Sequence, residues 1–137
     1  MYINKTINIF DDCCISQASA SDIQSLAQYH YRKIPNQPYV KAWKIVRNSL
    51  EDRGPIGIIT YSMPVLNSSG RRLVTDGFFS GNDIKTRLCR LNNHVRRIGR
   101  VIIDPRYRGL GLASRLVAET MPKLDVAMIE TTAVMGR

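Results

Sequence analysis

Long apolar runs are missing from this chain. None approaches the roughly 20 residues a membrane-spanning helix needs. The start, Met1-Tyr2-Ile3-Asn4-Lys5, lacks the charged head and apolar stretch of a secretory signal. A cytoplasmic protein with no membrane contact is expected. Cysteine is scarce, with Cys13, Cys14 and Cys89 only. None is spaced with a histidine as metal ligands are, so no metal is expected and the thiols read as reduced. Linkers, internal repeats and low-complexity tracts are absent, and the 137 residues read as one domain, 1–137. Acidic residues are few: 11, against 20 Lys and Arg, for a net charge of +9. That excess points to an anionic partner, either nucleic acid, a phosphorylated cofactor or both. What the chain does have is 44% hydrophobic residues, enough for a core.

Tyr2 to Phe10 reads as a first strand, with Ile3, Ile7 and Ile9 on one face. Asp11-Asp12-Cys13-Cys14 leads out of it, and burial as small apolar groups is the reading for the two cysteines. Ser21-Asp22-Ile23-Gln24 has the form of a capping box. It opens a helix with Ile23, Leu26, Ala27 and His30 on one stripe, ending near Arg32 and Lys33. Ile34 to Pro38 is a rigid loop that could line a pocket. Tyr39 to Arg47 and Pro55 to Met63 read as a hairpin, and the continuous run Ile56-Gly57-Ile58-Ile59 marks a central strand. Leu66 to Gly70 is turn-rich. Asn82 or Asp83 caps a helix over Ile84, Leu88 and Leu91. Val95 to Asp104 is a strand, Leu112 to Leu124 an amphipathic helix with Ala113 packed close to the sheet, and Val126 to Val134 a last strand. The order is that of an α/β fold with a mixed sheet.

One stretch joins these elements to chemistry. Between the strand ending at Ile103 and the helix starting near Leu112 lies Asp104-Pro105-Arg106-Tyr107-Arg108-Gly109-Leu110-Gly111. A tight turn that needs left-handed glycines is the plain reading. Two glycines, two arginines and a helix start together favour an anion site, because backbone N–H groups at a helix N-terminus attract negative charge.

The same residues resemble the acyl-CoA-binding motif of GNAT acyltransferases. Arg108-x-x-Gly111-x-Ala113 fits its form of Gln or Arg, two residues, Gly, one residue, then Gly or Ala. A shifted match, Arg106-x-x-Gly109-x-Gly111, is less well placed with respect to Pro105 and Tyr107. The hairpin upstream and the strand downstream fall in GNAT order, so the resemblance covers most of the chain. It implies a GNAT-like mixed central sheet flanked by helices, and transfer of an acetyl or related acyl group from acetyl-CoA or another acyl-CoA to an amine. It implies that the backbone of Gly109, Leu110, Gly111, Leu112, Ala113 and Ser114 holds the pyrophosphate, with charge from Arg108. Val101, Ile102 and Ile103 would then present backbone groups to the pantetheine arm. The helix and hairpin that usually follow in GNAT domains are not seen before Arg137, and the tyrosine often carried on that helix is expected to be replaced or its role lost. A narrower resemblance, through Tyr29-His30-Tyr31-Arg32, Gly57 to Pro64 and Asn92 to Arg100, is to GNAT-like domains attached to ABC-type ATPases and to phage Mom enzymes that modify adenine in DNA.

Acyl transfer needs a base for the amine, close placement and oxyanion stabilisation. The candidate bases are Glu130, His30 and Asp104. Glu130 sits mid-strand among apolar residues and either pairs with an arginine such as Arg100 or titrates high. His30 lies on an apolar stripe, where a packed core histidine is an equal reading. Asp104 could equally cap the loop or pair with Arg106. His94 reads as a surface residue. The Arg96, Arg97, Arg100 cluster is either a solvated edge or a DNA or RNA surface. An open sheet edge would invite a homodimer. A second reading of the whole is a basic GNAT-like module that binds nucleic acid or a protein without turnover.

Overall fold

Residues 8–30, 37–49 and 54–132 are described by the structure, a computed structural model. Among them five strands form one sheet in sequence order: β1 (Cys13–Gln17), β2 (Lys41–Arg47), β3 (Gly57–Ser62), β4 (Val95–Ile103) and β5 (Met128–Glu130). β1 to β4 pair antiparallel and β5 is parallel to β4. A parallel neighbour demands a crossover. Helix α4 (Leu112–Thr120) supplies it. The other helices are α1 (Ala20–Leu26), α2 (Ser69–Val74) and α3 (Ile84–His94); the last two fill the connection from β3 to β4.

All six residues of β3 are buried, as its apolar run requires of a central strand. On one sheet face Trp43, Ile45, Ile59, Tyr61 and Ile103 pack against Leu112 and Leu116 of α4 and against Leu124. The Tyr61 hydroxyl, buried there, is satisfied by Thr120 Oγ1 at 2.7 Å. On the other face Leu26 of α1 covers Ile58 and Ile102, and further along Leu91 of α3 covers Val95 beside Phe79. Gly57 is required by the crowding between strands. A Cβ there would lie 2.6 Å from Ile103 Cδ1 and 2.9 Å from Ile45 Cγ2.

Several local expectations are corrected. The first strand is not Tyr2 to Phe10: residues 1–7 lie outside the described residues, 9–12 form a turn, and the strand begins at Cys13. Cys13 and Cys14 stand on opposite faces, and Cys13 is the buried one. The capping box is Ser19 with Asp22, because the Asp22 carboxylate reaches back to the Ser19 N–H at 2.8 Å. α1 accordingly stops at Leu26, followed by a short 3-10 turn, Ala27–Tyr29. The expected ending at Arg32 and Lys33 and most of the Ile34 to Pro38 loop lie outside the described residues. The region around Gly70 is helical, with Ser68 as its cap. Asp83 caps α3, accepting from the Thr86 N–H, but Ile84 and Leu88 are exposed and only Leu91 is buried. Ala113 is exposed, so it does not pack on the sheet. β5 is three residues long, not nine, within the described residues, and Val134 lies beyond them.

Candidate functional site

The site is built on β4. Its ladder with β3 runs Thr60↔Arg100 and then Tyr61↔Ile98, so Gly99 is an extra residue, a bulge that bends the strand. Glycine suits it, since a Cβ would stand 3.0 Å from Thr60 Oγ1. β5 pairs with β4 only from Val95↔Met128 to Arg97↔Glu130. Past that point the strands part: β5 ends while β4 runs on to Ile103. The Asp104 N–H donates to Ile56 O at 2.9 Å across the β3 ladder. Backbone groups alternate along a strand, so Ile102 bonds toward β3 while Val101 and Ile103 turn their N–H and C=O groups to the side β5 has left. The expected strand contacts Val101 to Ile103 therefore divide. Val101 turns both its N–H and its C=O outward, Ile103 turns its N–H outward while its C=O accepts from the Arg108 guanidinium at 3.2 Å, and the side chains of Ile102 and Ile103 are both buried.

Where β4 ends, the Asp104 carboxylate folds the chain back. It accepts from the Arg106 N–H at 3.0 Å and from the Arg106 guanidinium at 2.7 Å, starting a 3-10 turn, Pro105–Tyr107. The hydrogen bond from Arg106, against some desolvation, holds the Asp104 carboxyl below its ordinary value. Gly109 and Gly111 follow, both with φ of 78°, where a side chain would be strained. α4 starts directly after Gly111, and no side chain caps it. The N–H groups of its first turn, from Leu112, Ala113 and Ser114, have no helical acceptor. A Cβ on Gly109 would meet nothing within 4 Å, so the cradle is open in front. Its rear is braced. Arg115 donates to Phe10 O at 2.6 Å and to Cys13 O at 3.2 Å, and the Phe10 ring backs Gly111. Arg108 bridges Ile103 O at 3.2 Å and Tyr29 O at 3.1 Å, tying the loop to both β4 and the turn after α1. Among the described residues the outcome is a continuous track: a strand edge without a neighbouring strand that leads into an uncapped, positively polarised helix end.

The three candidate bases are not gathered in one place. Glu130 stands where β4 and β5 part, and its partner is Arg71, not Arg100. The pair is bidentate, at 2.9 Å from Nε and 2.8 Å from Nη2. Asp104 lies at the other end of β4, paired with Arg106. His30 follows Tyr29 beside the loop, at the end of the 3-10 turn. Sequence reasoning missed Arg71, a buried cation in a stretch that reads as a turn. It missed the Gly99 bulge too, although a glycine inside a strand pattern is the signal for one.

The arginine cluster does not make one surface. Arg100 is buried at 8% exposure. Arg96 donates to Asn92 O and Val95 O, and Arg97 to Thr132 Oγ1. Exposed positive charge lies at Arg72 and Lys85 on α2 and α3, and at Arg106 and Arg108 of the loop. His94, exposed as expected, bonds Arg90 O through Nδ1. Among the described residues no group of three His, Cys, Asp or Glu is placed to hold a metal ion, and no helix is long and apolar enough to cross a membrane.

No family model and no curated protein sequence matches the chain. Solved structures do. A GNAT-family acetyltransferase from Streptococcus pneumoniae superposes over 90% of this chain and 77% of its own, with a TM-score of 0.55 at 11% identity. Arabidopsis thaliana NAA60 in complex with acetyl-CoA covers 81% of this chain and 68% of its own, with a TM-score of 0.52 at 19% identity. AtaT complexed with acetyl-methionyl-tRNAfMet covers 90% and 79%, with a TM-score of 0.52 at 17% identity. At these identities the likeness is one of architecture: the chain has the fold of the GNAT acetyltransferases, a mixed five-stranded sheet flanked by helices.

Proposed function

We propose that the protein is an acyl-CoA-dependent N-acyltransferase that moves an acetyl or related acyl group to an amine. The observation that carries this is the track from the edge of β4 that β5 leaves, among the described residues, to the uncapped N-terminus of α4. The N–H groups of residues 109–114 suit a pyrophosphate, and Arg108 adds charge at its rim. The Val101 N–H and C=O and the Ile103 N–H suit the amides of a pantetheine arm, which would add to β4 as a strand would. The acyl group then falls near the bulge, where β4 and β5 part. There the amine attacks the thioester carbon, the C–S bond breaks, and the sulfur leaves as a thiolate. Glu130, held by Arg71, is the carboxylate nearest that point and is the base on this reading; Asp104 shapes the loop and His30 borders it. The acceptor is a nucleic-acid base or another amine. The charge of +9 and the neighbour complexed with acetyl-methionyl-tRNAfMet support an amine carried on a nucleic acid.

One observation favours a second reading, a basic GNAT-fold module without turnover: both candidate carboxylates are already in ion pairs. Calorimetric titration with acetyl-CoA separates the two. Saturable binding that Gly109→Val weakens by about tenfold or more supports the enzyme; the φ of 78° is strained for a branched side chain, which would also project into the cradle. Absence of saturable binding removes the enzyme reading.

A further inference from the structure

A cavity of about 460 Å³ lies between α2 and α3, and none of its lining residues belongs to β4 or to the loop after it. Arg71, Arg72 and Arg87 line it with the hydroxyl residues Ser68, Ser69 and Ser80, and no carboxylate is among its lining residues. Glu130 neutralises Arg71 from behind. Among the described residues Arg87 is held by neutral acceptors, donating to Phe79 O at 3.3 Å and Asn67 Oδ1 at 3.1 Å, and has no ion pair. Arg72 is exposed and has no ion pair among the described residues. Two cations thus face the cavity without a counter-charge, beside several hydroxyl donors. That arrangement matches a tetrahedral dianion better than a planar, singly charged carboxylate.

We infer that this cavity binds a phosphomonoester. Its volume falls in the range of small-molecule sites and has room for a nucleotide, not for a free phosphate alone. Arg71 forms its wall and also grips Glu130 where β4 and β5 part, so a ligand here sits one side chain from that point. Resting on the acyl-transfer reading, this makes the ligand the acceptor, a phosphorylated amine such as a nucleotide, with its phosphate held by Arg72 and Arg87.

Calorimetry with AMP as the probe, and adenosine as its phosphate-free control, tests the site. AMP binds saturably and adenosine does not; Arg72→Glu, on an exposed side chain, weakens AMP by about tenfold or more and leaves acetyl-CoA affinity unchanged. Far-UV circular dichroism establishes that the variant is folded. Absence of AMP binding, equal binding of adenosine, or AMP affinity indifferent to Arg72→Glu overturns the site. That last result would place AMP on the α4 loop instead. Loss of acetyl-CoA binding with AMP binding intact removes the acyl-transfer reading and leaves the phosphate site standing.

Discussion

Replacing Glu130 by Gln tests the most exacting electrostatic feature of the fold. The Arg71 side chain is 3% exposed and Glu130 is 17% exposed. Arg71 donates to both Glu130 oxygens, to Val65 O at 2.8 Å and to Leu66 O at 3.3 Å, so one guanidinium joins α2, the segment before it and the end of β5. Glutamine keeps one acceptor and nearly the same volume but removes the charge. Arginine cannot shed its proton, so a cation is left buried without a counter-ion. Breaking such a pair from one side costs about 3–5 kcal/mol. The partial exposure of Glu130 and the two carbonyls that stay place this case at the lower end, about 3 kcal/mol, or a fall of about 10 °C in Tm. Urea unfolding followed by circular dichroism reads the first, and a thermal melt the second. The double variant Arg71→Met with Glu130→Met removes both charges and should recover most of the loss, to within about 1 kcal/mol of the parent. A loss below about 1 kcal/mol in Glu130→Gln would refute the reasoning, because the pair would then be behaving as a solvated surface bridge. The same variants divide structure from chemistry. Arg71→Met keeps the carboxylate and Glu130→Gln does not, so a base role predicts acyl-transfer loss in the second beyond what its folded fraction explains.

Other expectations follow from single contacts. Gly57→Ala forces a Cβ to within 2.6 Å of Ile103 Cδ1 and should cost about 1–3 kcal/mol by overpacking; adding Ile103→Val, which removes that Cδ1, should return part of it in the same urea assay. Asp104 titrates below its ordinary 3.8 in the folded state because Arg106 hydrogen-bonds the carboxylate. Its stabilisation is therefore present above about pH 4 and lost as pH falls through the lowered folded value. Urea midpoints between neutral pH and pH 3 should decline, and Asp104→Asn, which keeps the cap without the charge, should decline less; an identical acid slope would remove Asp104 from the account.

The parts of the fold that could be read along the chain share a property: their cause is local. The apolar run of β3, the alternation of β2, the Asp83 cap and the passage from strand to glycine loop to helix are each written in neighbouring residues. The loop was legible for the same reason, since two left-handed glycines and an uncapped helix start need no distant partner. The α1 cap failed by two residues because Ser19 and Ser21 both offer an oxygen, and only the reach of the Asp22 carboxylate selects between them. Ala113 failed because helix phase relative to the sheet is set by where Leu112 and Leu116 find space.

The sequence by itself determined a basic, glycine-bearing loop between a strand and a helix, within an α/β order. Only the tertiary structure decided the remainder. It ended the β5 pairing at Arg97 among the described residues, it buried Arg100 and so set it apart from Arg96 and Arg97, and it brought Arg71 to Glu130 across 59 positions of chain. The physical reason is the range of the forces involved. Backbone conformation at glycine and proline is settled by the nearest neighbours, whereas the partner of a buried charge is settled by which elements the packed core carries to its side.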